Sequence, residues 1–140
     1  MALVGRYLID TSAAARMSHP EVSRRLRALL ASGVVATTAS LDAEALAAVS
    51  GHDEYEERLA ERRATREYLP TNDEHWHTAL GAQRALAKTG LHHMVDIADL
   101  LTAALASAHK LVVVHYDVCF EAAATVLTFR HRWVMPRGSL

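Results

Sequence analysis

The 140 residues are 51% hydrophobic and 22% charged, enough apolar material for one full-sized core and too much for a disordered or solvating tail. A net charge of −1 excludes a protein that coats nucleic acid by bulk charge, so any polyanion must be held by local arginines or a metal. The single cysteine excludes an intramolecular disulfide, and neither a signal-peptide pattern nor an apolar run near ~20 residues is present, so a soluble, cytoplasmic protein with no membrane partner is expected.

The chain opens with an apolar run, Tyr7-Leu8-Ile9, stopped by Asp10. Thr11 and Ser12 are good N-caps for the helix formers that follow, so this segment reads strand, turn, helix. Ser18-His19-Pro20-Glu21 repeats the start signal, and Val22, Leu26, Leu29 and Leu30 recur at helical spacing until Gly33. Residues 34–37 form a short β-branched strand. A helical pattern then runs from Ser40 to Gly51.

Residues 53–69 are the most charged, with a narrow apolar stripe of Tyr55, Leu59 and Leu69, and Pro70 ends this helix. Asn72 or Asp73 caps the next helix, which runs towards Gly90. Asp96 opens another, with Ile97, Leu100, Leu101, Ala104, Leu105 and Ala108 as its apolar face. Residues 111–114 are apolar without alternation, as in a parallel strand covered on both faces. A helix over residues 120–127 leads to a final strand at Trp133-Val134-Met135. Strands separated by helices predict a single α/β domain over residues 1–140, three-layered α/β/α with a mainly parallel central sheet.

Asp10 and Asp117 stand just past the C-terminal ends of apolar strands, where open α/β sheets bind ligands. Glu44 and Asp99 lie in otherwise apolar helical stretches, and Asp99 shares a helix side with the small Ala103 and Ala106. Each acid also has a plain structural reading: a helix cap for Asp10, an Asx turn for Asp117, solvated helix positions for the other two. Gathered in one cleft they would repel, each close pair by about 4 kcal/mol at ~4 Å and an effective dielectric of ~20. A hard divalent cation, Mg²⁺ or Mn²⁺, removes that conflict in an all-oxygen site.

The runs Leu8-Ile9-Asp10-Thr11-Ser12-Ala13, Leu41-Asp42-Ala43-Glu44, Ile97-Ala98-Asp99-Leu100-Leu101-Thr102-Ala103-Ala104 and Val114-His115-Tyr116-Asp117 resemble the PIN-domain ribonucleases. The likeness is greatest to the VapC toxins of toxin–antitoxin pairs, and the ending Trp133-Val134-Met135-Pro136-Arg137-Gly138-Ser139-Leu140 is similar to one VapC subgroup. The resemblance implies a PIN-like fold and a metal-dependent endoribonuclease whose catalytic and metal-binding acids are Asp10, Glu44, Asp99 and Asp117. It further implies metal-activated water, an RNA substrate, structured like tRNA, a VapB-type antitoxin and a homodimer. Asp10 and Asp99 are the first direct ligands, with Glu44 and Asp117 binding through water or orienting it. Thr11, Ser12 and Asp96 are outer partners of the metal, Asp96 being equally a helix cap. The subgroup commonly carries a second acid two residues after Asp117. Here that residue is Cys119, read as a small packing residue.

Other residues read more plainly. His75, His77, His92 and His93 lack the spacing of a zinc site. Arg24, Arg25 and Arg27 form a solvated helix face, while Arg62, Arg63 and Arg66 pair with local glutamates on a poorly anchored helix that suits antitoxin binding. Trp76 and Trp133 belong to the core. Two rivals stand beside the nuclease: a catalytically impaired PIN-like RNA- or partner-binding module, and an aspartyl-phosphate receiver or phosphatase. The latter needs a lysine near the acid, and neither Lys88 nor Lys110 lies at the right end of the sheet.

Overall fold

The computed structural model describes residues 5–140; Met1 to Val4, where the expectation about a signal peptide begins, lie outside them. Five strands, β1 (Tyr7–Ile9), β2 (Val35–Thr37), β3 (Glu67–Tyr68), β4 (Val112–His115) and β5 (Arg130–Trp133), form one sheet in the order β3-β2-β1-β4-β5. Every pairing is parallel, so the mainly parallel sheet expected from the sequence is wholly so.

Helices cover both faces: α1 (Thr11–Ala14), α2 (Pro20–Ala31), α3 (Ala39–Ala47), α4 (His52–Thr65), α5 (Asp73–Ala87), α6 (Ile97–His109) and α7 (Cys119–Ala123). Strand residues alternate between the two layers, as the period of two requires. Leu8, Ala36 and Val113 pack with Leu86, Leu100, Leu105 and Phe120 on one face. Ile9, Val35 and Val114 pack with Val22, Leu26 and Val134 on the other. Ile9 pairs with Val114, and the Asp10 amide donates to the Val114 carbonyl at 2.9 Å, so β1 and β4 end side by side.

Several boundaries differ from the sequence expectation. Asp10, not Thr11 or Ser12, caps α1, and His19 precedes α2 without a side-chain cap bond. The charged helix ends at Thr65, and Glu67–Tyr68 adds an edge strand that two residues are too few to announce. The last helix is shorter than expected, and β5 lies three residues earlier, alternating exposed and half-buried. Trp76 is 43% exposed and so is not a core residue; Trp133 is half-buried.

The α4 helix buries no side chain, and it is held by a tertiary ion pair rather than only by its own glutamates. Arg62 Nε donates to Asp42 Oδ1 at 2.7 Å, and its NH2 group reaches Thr37 Oγ1 at 3.2 Å. Arg66 pairs locally with Glu61.

A candidate metal centre at the ends of β1 and β4

Asp10 is 3% exposed and serves two purposes at once. As the N-cap of α1 its Oδ2 accepts the Ser12 amide at 3.0 Å, while Oδ1 is buried with no hydrogen-bond partner among the described residues. Burial raises its pKa above the ordinary value, partly countered by the Ser12 bonds, and the Glu44 and Asp117 charges add to the rise. An orphaned buried carboxylate oxygen costs free energy that a bound cation would recover.

Asp117 repeats the device at the end of the neighbouring strand. Its Oδ1 accepts the Cys119 amide at 2.9 Å, and its own amide donates to Nδ1 of His115 at 3.1 Å. The structural readings of Asp10 and Asp117 as turn residues are therefore both correct, and each turn holds its acid at the C-terminal end of its strand. The Ser12 hydroxyl ties the two turns together by accepting the Tyr116 amide at 2.9 Å.

Asp99 projects from the first turn of α6, with Ala103 and Ala106 buried along the same side. Its pKa is pushed up to about 7, first by burial, then by Asp10. Glu44 comes from α3, its Oε2 held by the Thr11 hydroxyl at 2.7 Å, and its charge acts on both Asp10 and Asp99. Asp96 is exposed at the N-cap of α6 and makes no side-chain cap bond.

The sequence reading of Cys119 as a packing residue is half the picture. The residue is 4% exposed, yet its Sγ donates to Asp99 Oδ2 at 3.4 Å. One donor atom each from Asp99, Asp117 and Cys119 lies within 4.8 Å of the others. Burial pushes the thiol pKa well up, and the charges of Asp99 and Asp117 push it further. The signal that marked it in the sequence was its position two residues after Asp117.

Two features had no clear signal in the sequence. Nε2 of the fully buried His115 lies 2.9 Å from Nδ1 of His131, on the next strand. A groove of about 690 Å³ adjoins Thr11 and Glu44; α2 lines it with Leu26 and Leu30, α4 with Arg58 and Arg62, and Arg66 follows at the end of α4. The donor set suits a divalent cation: hard carboxylates gathered at the C-terminal ends of the central strands, one with an unsatisfied buried oxygen.

Residues 7–126 match the family described as PIN domain. The chain is 36% identical to ribonuclease VapC21 of Mycobacterium tuberculosis over 134 residues, covering 96% of this chain and 97% of that one. It is 35% identical over 135 residues to ribonuclease VapC51 of the same organism, again covering 96% and 97%. Among solved structures it is similar to VapBC2 from Rickettsia felis bound to a promoter DNA fragment. That match has a TM-score of 0.69 and 16% identity, covering 90% of this chain and 96% of that one.

Proposed function

The chain belongs to the PIN-domain family, among the VapC ribonucleases, and from that premise we propose that it is a divalent-metal-dependent endoribonuclease, the toxin of a toxin–antitoxin pair. The observation that carries the metal assignment is the buried, unpartnered oxygen of Asp10 beside Glu44, Asp99 and Asp117.

Asp10, Asp99 and Asp117 would hold the cation, Mg²⁺ or Mn²⁺, with Glu44 at the margin. Such an ion supplies Lewis acidity towards water and the phosphate. The protein's part is to arrange the acids beforehand. The amides of Ser12 and Cys119 each bind one oxygen of Asp10 and Asp117, fixing those carboxylates. Thr11 fixes Glu44, which in this reading would orient or deprotonate the attacking water. No protein nucleophile is required.

The substrate in this reading is a structured RNA such as tRNA. Arg27 and Arg58 line the groove that leads to Thr11 and Glu44 and offer local positive charge, while Arg62 and Arg66 in the same wall are paired with Asp42 and Glu61. The same groove has apolar walls of Ile9, Met17, Leu26 and Leu30, which suit an apolar segment of a VapB-type antitoxin. The neighbours of known structure include VapBC complexes, and a homodimer and cytoplasmic residence complete the reading. Among the described residues no helix is long and apolar enough to cross a membrane.

The test is incubation of antitoxin-free protein with total cellular RNA in Mg²⁺, Mn²⁺ or EDTA, with Asp99→Asn alongside. Discrete metal-dependent fragments that vanish in the variant are expected. The thiol at position 119, where the subgroup commonly has an acid, favours the second reading, an impaired binding module. RNA binding without metal and without cleavage would select it.

A further inference from the structure

Resting on the reading that the acidic cluster binds a divalent cation, we infer that Cys119 is itself a ligand and gives this site a preference for thiophilic ions such as Zn²⁺, Cd²⁺ and Co²⁺ over Mg²⁺. Donors about 2.0–2.3 Å from a shared tetrahedral ion lie about 3.5 Å from one another. Cys119 Sγ and Asp99 Oδ2 already stand 3.4 Å apart, and Asp117 offers an oxygen within 4.8 Å of both. The Sγ–Asp99 edge already has that spacing, and the Asp117 oxygen has up to about 1.3 Å to close before a face of one sulfur and two oxygens is complete.

A second feature is a buried carboxylate oxygen beside this face that lacks a partner. Asp10 is 97% buried by its 3% exposure, and its Oδ1 has no partner among the described residues, while its charge acts on Asp99 and the Asp117 charge acts on it. Asp10 lies outside the trio whose donors come within 4.8 Å of one another, so it would reach an ion held there by moving closer or through a water. Thiolate sulfur selects soft and borderline metals, whereas Mg²⁺ keeps to oxygen and retains its waters. On coordination by a thiophilic ion the S–H bond breaks, the sulfur keeps the electron pair, and the proton passes to solvent. A Mg²⁺ ion would sit on the carboxylates alone and leave the thiol as it is.

The consequence is competition. A thiophilic ion would occupy the site through a sulfur bond that the RNA-cleaving ion does not make, and would displace it. Zinc then acts as an inhibitor of this chain at concentrations well below those of Mg²⁺ or Mn²⁺.

The experiment titrates the purified, antitoxin-free full chain with Co²⁺ and with Cd²⁺, recording the ultraviolet thiolate-to-metal charge-transfer band, and follows Mn²⁺ binding in parallel by electron paramagnetic resonance. The expected result is a charge-transfer band that saturates at one ion per chain. In Cys119→Ser the band is absent and Cd²⁺ affinity falls roughly tenfold or more, while Mn²⁺ still binds. Cys119→Asp is expected to lose the band and to bind Mg²⁺ more tightly. Because the band is read on the unmodified chain, a variant that misfolds does not blunt the test. Co²⁺ and Mn²⁺ binding without the band overturns the inference and leaves the acidic metal site standing. Failure of the unmodified chain to bind Mn²⁺, Co²⁺ or Cd²⁺ overturns both.

Discussion

The amide of Asp117 donates to Nδ1 of His115, so a buried imidazole holds the backbone of a candidate metal ligand. With Nδ1 accepting, the ring proton resides on Nε2 and is donated to Nδ1 of His131. The neutral ring fits its surroundings: burial first, then His131, lowers the His115 pKa to about 4. Phe120, His131 and Trp133 stack about it with ring centroids 4.8, 5.0 and 5.0 Å away.

Replacements of His115 therefore separate its two nitrogens. In His115→Asn an amide oxygen can take the place of Nδ1 and keep the Asp117 turn. In His115→Leu the Asp117 amide loses its partner, at about 1–3 kcal/mol. Mn²⁺ affinity and RNA cleavage are expected to be near the unmodified level in the Asn variant and reduced roughly tenfold or more in the Leu variant, by analogy with outer-shell partners of metal ligands. Equal losses in the two variants, with equal melting temperatures, would mean that His115 only fills space.

The pH dependence of stability in the metal-free protein has two opposing sources. His115 ordinarily titrates at 6.5 and in the fold at about 4, so its contribution is present above 6.5 and lost as pH falls to about 4. Its full size is about 3 kcal/mol from the linkage relation. Asp99 ordinarily titrates at 3.8 and in the fold at about 7, so its contribution is present below 3.8 and lost as pH rises through 7. Asp99→Asn should therefore raise the metal-free melting temperature by an amount that grows from pH 4 to pH 7 and then levels off. The same variant should expose the acid limb of His115. A gain independent of pH would contradict the burial of an ionising Asp99.

The Arg62–Asp42 pair is the main anchor of α4, both side chains being only 12% and 14% exposed. Arg62→Ala leaves Asp42 and Thr37 without their shared donor. Loss of one partner from a buried ion pair costs about 3–5 kcal/mol, and partial exposure brings the expected loss here to about 2. Urea unfolding measures it. In Arg62→Ala combined with Asp42→Asn the loss should be less than the sum of the single losses, since no uncompensated charge remains.

Trp76 and Leu80 lie one turn apart on α5, 43% and 50% exposed, and a homodimer formed through this face would bury them. Trp76→Glu with Leu80→Glu is expected to give a folded monomer by light scattering, its helical circular dichroism unchanged. A dimer that survives both substitutions would move the interface to another face.

Much of this architecture was legible in the residues. The apolar runs before Asp10 and Asp117, and Glu44 and Asp99 within apolar helices, are local patterns, and local patterns survive in a linear reading. The edge strand Glu67–Tyr68 is too short to have a period, and the early start of β5 follows its pairing with β4 rather than its own hydrophobicity. The caps moved by a residue because Thr11 turns its hydroxyl towards Glu44 on another helix.

The sequence by itself determined the alternation of strands and helices and the four acids, because hydrophobic period and residue type are properties of neighbours in the chain. The fold alone decided that Cys119 faces Asp99, that His115 meets His131, and that Arg62 leaves its own glutamates for Asp42. Those partners are 20, 16 and 20 residues apart. No helical or strand period links positions so distant, and only the packing of α6, α7, β4, β5, α3 and α4 about one parallel sheet brings them together.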